Sequence, residues 1–102
     1  MLDTCRIKLT RHAVERYRQR IDPSATRKKI IEAVLASVIC TRATVRKVRR
    51  ACPANQWRMP TGGFLYYQQG DAIFCLHNTG AGKFTVLTVL SEKAVRQRAN
   101  RK

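Results

Sequence analysis

The chain has 102 residues, which is enough for one compact domain and too short for two. Apolar residues make up 44% of it, an ordinary value for a folded domain, so the composition excludes the disordered class. Twenty-one lysines and arginines against six acidic residues give a formal charge of +15, which favours nucleic acid as a partner. Docking on an acidic protein or on anionic lipid is the alternative that charge alone leaves open.

The cysteines and the N-terminal sequence bear on the compartment. Arg6 and Lys8 interrupt the apolar run that a signal peptide needs, and no stretch approaches the length of a membrane span. No pair of cysteines has zinc-knuckle spacing, so we expect no metal and no other cofactor. We therefore expect a cytoplasmic protein with mostly buried free thiols, although the even count leaves a disulfide open. The cysteines are Cys5, Cys40, Cys52 and Cys75.

The first predicted element is a helix over residues 10–21. Thr10 is its predicted N-cap, and the helix stops before Pro23 because the residue before a proline avoids the helical region. At 100° per residue one side of the helix is apolar, with Ala13, Val14, Tyr17 and Ile21. The opposite side carries His12, Glu15, Arg16 and Gln19, so we expect this histidine to be exposed rather than in the core.

A second helix is predicted from about Ser24 to Ser37, capped by Asp22 or Ser24. Its apolar stripe consists of Ile30, Ile31, Val34, Leu35 and Val38.

Residues 42–61 fit more than one structure. The stretch "TVRKVRRA" fits an edge strand built on Val45 and Val48, or a mobile basic loop. Trp57, in the turn-rich stretch that follows, either packs on the sheet or offers a stacking surface.

The last third predicts a β-meander with strands over 64–69, 72–77 and 83–90. We therefore predict an α+β fold, with two N-terminal helices packed as one layer on a three- to four-stranded antiparallel sheet. A single domain over residues 1–91 precedes a basic C-terminal tail over 92–102, which is either a short helix or a disordered arm.

The pair His12 and Arg16 carries the chemistry. Metal-independent RNA cleavage needs a base, an acid and a cation, and histidine and arginine supply such groups at neutral pH. Four residues apart on one helical face, both can contact one phosphate, and Arg20 continues the same edge. Glu15 either orients His12 or accepts a proton. Spacing alone is more typical of a solvated basic face. His77 is either a second acid/base group or a half-exposed strand end.

A resemblance adds weight to catalysis. "RHAVERYRQRI", a capped second helix and a closing strand "FTVLTVL" resemble small toxin-like and phage-borne domains with a His-x3-Arg-x3-Arg helix. These domains are grouped with the barnase–EndoU–colicin–RelE class of metal-independent ribonucleases, and the likeness covers residues 8–40 and 62–91. It implies that His12 is the acid/base, that Arg16 and Arg20 bind phosphate, and that Thr88 is a polar group of the catalytic set.

We therefore expect an RNA-directed protein, a metal-independent endoribonuclease that acts as a toxin or phage effector, with RNA favoured over DNA. The residues expected to bind nucleic acid are Arg11, Arg20, Arg46, Lys47, Arg49, Arg50 and Arg58. One alternative is a non-catalytic module acting on the ribosome, a polymerase or the RNA-decay machinery. Another is an inhibitor that grips an acidic host protein. A partner with an acidic surface, an antitoxin or a host enzyme, is expected, and a membrane is not.

Overall fold

The computed structural model of the protein describes residues 7–51, 64–80 and 83–99. Within these ranges the chain forms four helices and five strands, which confirms the α+β class. None of these helices has the length and apolar content that crossing a membrane requires. In chain order the elements are β1 (Ile7–Leu9), α1 (Arg11–Arg20), α2 (Arg27–Ala36), β2 (Val38–Ile39), α3 (Arg42–Ala51), β3 (Phe64–Gln69), β4 (Ala72–Gly80), β5 (Lys83–Ser91) and α4 (Glu92–Ala99).

The five described strands form one sheet in the order β1-β5-β4-β3-β2. The predicted meander is confirmed as β3, β4 and β5, and Gly70, with a φ of 59°, makes the turn between the first two. β1 pairs with β5 in parallel, and β2 pairs with β3 in antiparallel. The sheet is thus mixed and five-stranded, which corrects the predicted three- to four-stranded antiparallel sheet. Strands of three and two residues are too short to show a period in the sequence.

Helices cover both faces of the sheet. Phe74 of β4 belongs to a core with Tyr17 of α1 and with residues of α2. The neighbouring Ile73 belongs to a second core with Val48 of α3 and Val95 of α4. Because successive strand residues point to opposite faces, α1 and α2 lie on one side of the sheet and α3 and α4 on the other. The fold therefore has three layers rather than the predicted two.

Thr10 joins β1 to α1 and is confirmed as the N-cap. Its side-chain oxygen accepts a hydrogen bond from the backbone N–H of Ala13 at 3.1 Å. Its hydroxyl is shared between the carbonyls of Val86, at 3.0 Å, and Leu87, at 3.2 Å. At this point β5 has one extra residue, Leu87, relative to β4, and such a bulge redirects the local backbone. The start of α1 is thus attached to the bulge in β5.

The apolar side of α1 packs as its spacing predicts. Ala13, Val14 and Tyr17 are buried, and Ile21 packs at the border of the same core. The ring of Tyr17 stacks on that of Phe74, with centroids 6.1 Å apart and planes 7° from parallel. Burial of Tyr17 raises the pKa of its phenol above the ordinary value. The opposite side of α1 is therefore left to face solvent.

The second helix starts later than predicted, because Asp22 is used in the turn that precedes it. Thr26 is the N-cap, and its side chain accepts from the backbone N–H of Lys29 at 3.2 Å. Asp22 instead accepts from the backbone N–H of Ser24 at 3.0 Å and from Nζ of Lys29 at 2.8 Å. The helix also ends before Val38, which lies in β2 and not on the predicted apolar stripe.

Residues 42–51 form α3, which corrects the predicted edge strand or loop. Thr41 caps the helix, since its side chain accepts from the backbone N–H of Thr44 at 3.2 Å. Val45 and Val48, three residues apart, lie on one side, and Val48 is only 1% exposed. Arg42, Arg46 and Lys47 are exposed on the solvent side of this amphipathic helix, where their charges cost no burial.

The first part of the predicted tail forms α4 and belongs to the second core through Val95, which is 4% exposed. Asp71, from the β3–β4 turn, holds the start of this helix. Its carboxylate accepts from the backbone N–H of Lys93 at 2.9 Å and from the hydroxyl of Ser91 at 2.6 Å. Residues 92–99 therefore pack with the same domain instead of leaving it as a free arm.

We expect replacement of Thr10 by alanine to lower the free energy of unfolding by about 1–2 kcal/mol, since it removes a helix cap together with a bond to the β5 bulge. Thr10→Ser keeps both hydrogen bonds and should lose much less. Urea unfolding followed by circular dichroism measures both variants. Equal stability of the alanine and serine variants would contradict this role.

The hydrogen bonds from Lys29 and Ser24 hold the pKa of Asp22 at about 2, below its ordinary value of 3.8. The unfolded chain therefore binds a proton more readily, and the stability from this carboxylate is complete above about pH 4 and lost as the pH falls towards 2. The stability difference between wild type and Asp22→Asn should accordingly shrink between pH 5 and pH 2. Urea unfolding at a series of pH values measures it, and a constant difference would refute the assignment.

Candidate functional site

The solvent-facing side of α1 brings His12 and Arg16 together, as the helical spacing predicts. His12 is exposed and Arg16 is half-buried. Nε of Arg16 donates to Nε2 of His12 at 3.4 Å, and Nη1 of Arg16 donates to Oε1 of Gln19 at 2.7 Å. Among the described contacts, these bonds use two of the five guanidinium N–H groups, and the other three can bond to solvent or to a ligand. We call Arg11, His12 and Arg16 the α1 surface.

The bond from Arg16 is directed at one ring nitrogen of His12. The acceptor is Nε2, and a neutral imidazole accepts an N–H at the ring nitrogen that carries no proton. A phosphate that takes over the guanidinium N–H would free this nitrogen for a proton. The pair can therefore bind an anion and accept a proton at the same place.

Glu15 pairs with Arg11 and makes no described hydrogen bond or ion pair with His12, so it does not orient that imidazole. Nε of Arg11 lies 3.5 Å from its Oε1, in an ion pair between side chains that are 90% and 56% exposed. Surface pairs of this kind contribute little to stability, so both groups stay available to solvent.

Arg20, predicted to bind phosphate, is used at least in part to attach α1 to the sheet. Its Nη1 donates to the backbone carbonyl of Val89 in β5 at 2.7 Å. Arg18 does the same toward the following turn, where its Nε donates to the carbonyl of Ala25 at 2.9 Å. Arg16 differs from these two arginines, because its described hydrogen bonds go to side chains on the solvent-facing side of α1, those of His12 and Gln19.

The structure does not bring Thr88 to His12. Thr88 is 5% exposed, and its cross-strand partner is Cys75 of β4. Cys75 shares the sheet face of Ile73, the face covered by α3 and α4, because residues two apart in a strand point the same way. The hydroxyl of Thr88 is therefore on the side of the sheet away from α1.

His77 also lies on that far side. It pairs with Thr85 of β5 and Phe64 of β3, is half-exposed, and shares the sheet face of Cys75. The two histidines are thus separated by the sheet and do not form an acid/base pair.

The basic residues predicted to bind nucleic acid occupy two surfaces. Arg11 belongs to the α1 surface, whereas Arg46 and Lys47 are exposed on α3, beyond the other face of the sheet. Arg49 and Arg50 are in the last turn of α3, but their side chains lie outside what the structure describes, as do Trp57 and Arg58 altogether.

Sequence reasoning missed the region around β2. Val38 and Ile39 are exposed there, beside a groove of about 320 Å³ lined by Cys40, Arg42, Val45 and Arg46. The one available signal was that "SVICT" is an apolar run between two polar caps, which fits a short strand as well as a helix end.

Cys40 and Cys75 are free thiols, while Cys5 and Cys52 lie outside the described residues. Burial, with a smaller contribution from the charge of Glu92, raises the pKa of Cys40 to about 11. Nowhere in the described part of the chain do three histidine, cysteine or acidic side chains converge as a metal site requires.

Comparisons of the chain with protein-family models, with curated proteins and with solved structures found no match.

We expect Cys40 to react slowly with iodoacetamide in the native protein, because a thiol with a pKa of about 11 holds about a hundredfold less thiolate at neutral pH than one with a pKa of 9.0. The rate should rise about tenfold per pH unit from pH 7 to pH 10. Mass spectrometry of the peptide that contains Cys40 measures it, with the urea-unfolded protein as the reference. A rate that levels off near pH 8.5 would contradict the burial.

Proposed function

We propose that this protein is directed to RNA and cleaves it without a metal ion, and that the α1 surface is the place of binding and cleavage. The observation that carries this proposal is the contact between Nε of Arg16 and Nε2 of His12, 3.4 Å apart on an open helix face. The formal charge of +15 supports a polyanionic substrate. The resemblance to small toxin-like and phage-borne ribonuclease domains adds the reaction class and the role of a toxin or phage effector.

The proposed reaction begins when a phosphodiester displaces the bond between Arg16 and His12. The guanidinium then binds two non-bridging oxygens of the phosphate, which is the geometry that arginine favours. Nε2 of His12, now free, accepts the proton of the neighbouring 2′-hydroxyl.

The 2′-oxygen forms a bond to phosphorus, and the bond from phosphorus to the 5′-oxygen breaks. Arg16 stabilises the negative charge that builds on the phosphoryl oxygens. The leaving 5′-oxygen takes a proton from water, and His12 returns its proton to solvent. The products are a 2′,3′-cyclic phosphate and a 5′-hydroxyl.

A second candidate is a non-catalytic RNA-binding module that acts on an RNA-containing machine. One observation favours it: Thr88 and His77 lie on the side of the sheet away from α1, so neither of these two candidates is a second acid/base group for His12. A single histidine beside an arginine is sufficient for phosphate binding, whereas efficient cleavage usually uses an acid and a base.

The first test is cleavage of a labelled RNA by the purified protein in the presence of EDTA. Wild type should yield fragments with 2′,3′-cyclic phosphate ends, and His12→Ala should lower the rate at least a hundredfold. Arg16→Ala should lower it by a similar factor, since it removes the phosphate ligand. Lys93→Ala, which removes an exposed cation on α4, is the matched control and should stay within twofold.

Intact RNA with the wild-type protein would reject cleavage and leave the second candidate to be tested by binding. In that case His12→Ala should bind RNA nearly as wild type does. Arg11→Ala and Arg16→Ala should each reduce the slope of log Kd against log salt by about 0.7 for a single strand. Affinity that does not change with salt would reject both functions.

A further inference from the structure

The outer strand β2 exposes two large apolar side chains. Val38 is 67% exposed and Ile39 is 62% exposed, and no other large apolar side chain of the described residues is exposed to this degree. Because neighbouring residues of a strand point to opposite faces, the two side chains flank the edge of the sheet on both sides. Exposed branched apolar side chains on an edge strand favour association with another chain.

The backbone of β2 has groups that are directed away from the sheet and that pair with no other described strand. Val38 is opposite Gln68, and the N–H of Cys40 donates to the carbonyl of Tyr66 at 2.8 Å. In an antiparallel pair, hydrogen-bonded residues alternate with residues whose N–H and C=O point outward. Ile39 is therefore the residue that turns both groups away from β3, and β2 is the last strand on this side of the described sheet. An extended chain can bind there as one more strand.

A groove with positive charge adjoins this edge. It has a volume of about 320 Å³ and is lined by Cys40, Arg42, Val45 and Arg46. Val45 and the half-buried thiol of Cys40 give it an apolar part, and the two arginines, four residues apart on α3, lie along the same side of the helix.

The negative charge of Glu92 acts on the groove, since it contributes to the raised pKa of Cys40. Glu92 accepts hydrogen bonds from Nη2 of Arg96 at 2.9 Å and from Nε2 of Gln68. Its carboxylate is thus engaged with β3 and α4, and none of the ion pairs between described residues involves Arg42 or Arg46.

We propose that the β2 edge, defined as Val38, Ile39, Cys40, Arg42, Val45 and Arg46, binds an extended acidic segment of a partner protein. The segment pairs its backbone with Ile39, places an apolar side chain in the groove and a carboxylate on Arg42 and Arg46. RNA fits this place less well, because a phosphate backbone offers no match for the outward N–H and C=O of Ile39 or for two exposed apolar side chains.

This surface is separate from the proposed RNA site. α1 packs on β5, whereas β2 is three strands away in the sheet, which corresponds to about 14 Å at the usual strand spacing. A negative result for peptide binding at the β2 edge can therefore be distinguished from a negative result for the proposed function, because the two surfaces share no residue.

The test is a selection from random octapeptides displayed on phage, with the intact wild-type protein as bait. A double variant, Arg42→Glu/Arg46→Glu, serves for counter-selection. Selected peptides are then synthesised with a fluorophore and titrated by anisotropy. The matched control is Lys28→Glu/Lys47→Glu, which makes the same change of charge at two exposed lysines outside the groove.

We expect the selected peptides to be acidic with alternating branched apolar residues, and to bind the double variant at least tenfold more weakly than wild type. The control variant and His12→Ala should remain within threefold. Methylation of the peptide amide nitrogens at one alternate set of positions should abolish binding, while methylation of the other set should not, because only alternate residues face β2.

Any of four outcomes would overturn the proposal. The selection enriches no peptide, or the enriched peptides bind both double variants alike, or both methylated sets bind equally well. A 12-nucleotide single-stranded RNA that displaces the peptide, and that no longer binds the Arg42→Glu/Arg46→Glu variant, would also overturn the proposal. That result would indicate a second nucleic-acid site instead.

Discussion

A single hydroxyl at the junction of β1 and α1 determines how the rest of the molecule is arranged. Thr10 caps α1 and at the same time donates to the carbonyls at the bulge of β5, so the first helix has one permitted origin on the last strand. The stacked rings of Tyr17 and Phe74 then fix the rotation of that helix about its axis. Once origin and rotation are fixed, His12 must point to solvent. The open position of the proposed site is thus a consequence of packing, not of a pocket built around it.

Successive side chains of β4 point to opposite faces of the sheet. This places the other groups considered for catalysis, Thr88 and His77, on the side away from α1. Phe74 and Leu76 belong to the core under α1 and α2, so Cys75 and its neighbours on β5 face α3 and α4. Any residue on that second face is excluded from the α1 surface by the thickness of the sheet, however well its chemistry suits the reaction. This division also places Arg11 and Arg16 on one side of the sheet and Arg46 and Lys47 on the other.

Features that depend on neighbouring residues in the chain were predictable from the sequence, whereas features that depend on contacts between distant residues were not. Helical phasing and a capping threonine gave the limits of α1 and the exposure of its histidine, and turn residues gave the meander. The strand β1 has three residues and exists only because β5 lies beside it. The bond from Arg20 to Val89 joins groups 69 residues apart, so spacing on the helix assigned that arginine to phosphate without any sign of its structural use. In α3, Val45 and Val48 were assigned to an edge strand or a loop, because two apolar residues among many charges do not define a helical period.

The bond between Thr10 and Val86 also has a consequence for the order of folding. Its partners are 76 residues apart, and the buried side of α1 has no sheet to pack on until β5 has been synthesised. Contacts of such long range slow folding, because the entropy of closing the loop is spent before the contact contributes. The first helix therefore leaves the ribosome long before its strand partner, and during translation its basic, histidine-bearing face is not yet held in place. Completion of the last strand is the event that gives the α1 surface a defined position in the fold.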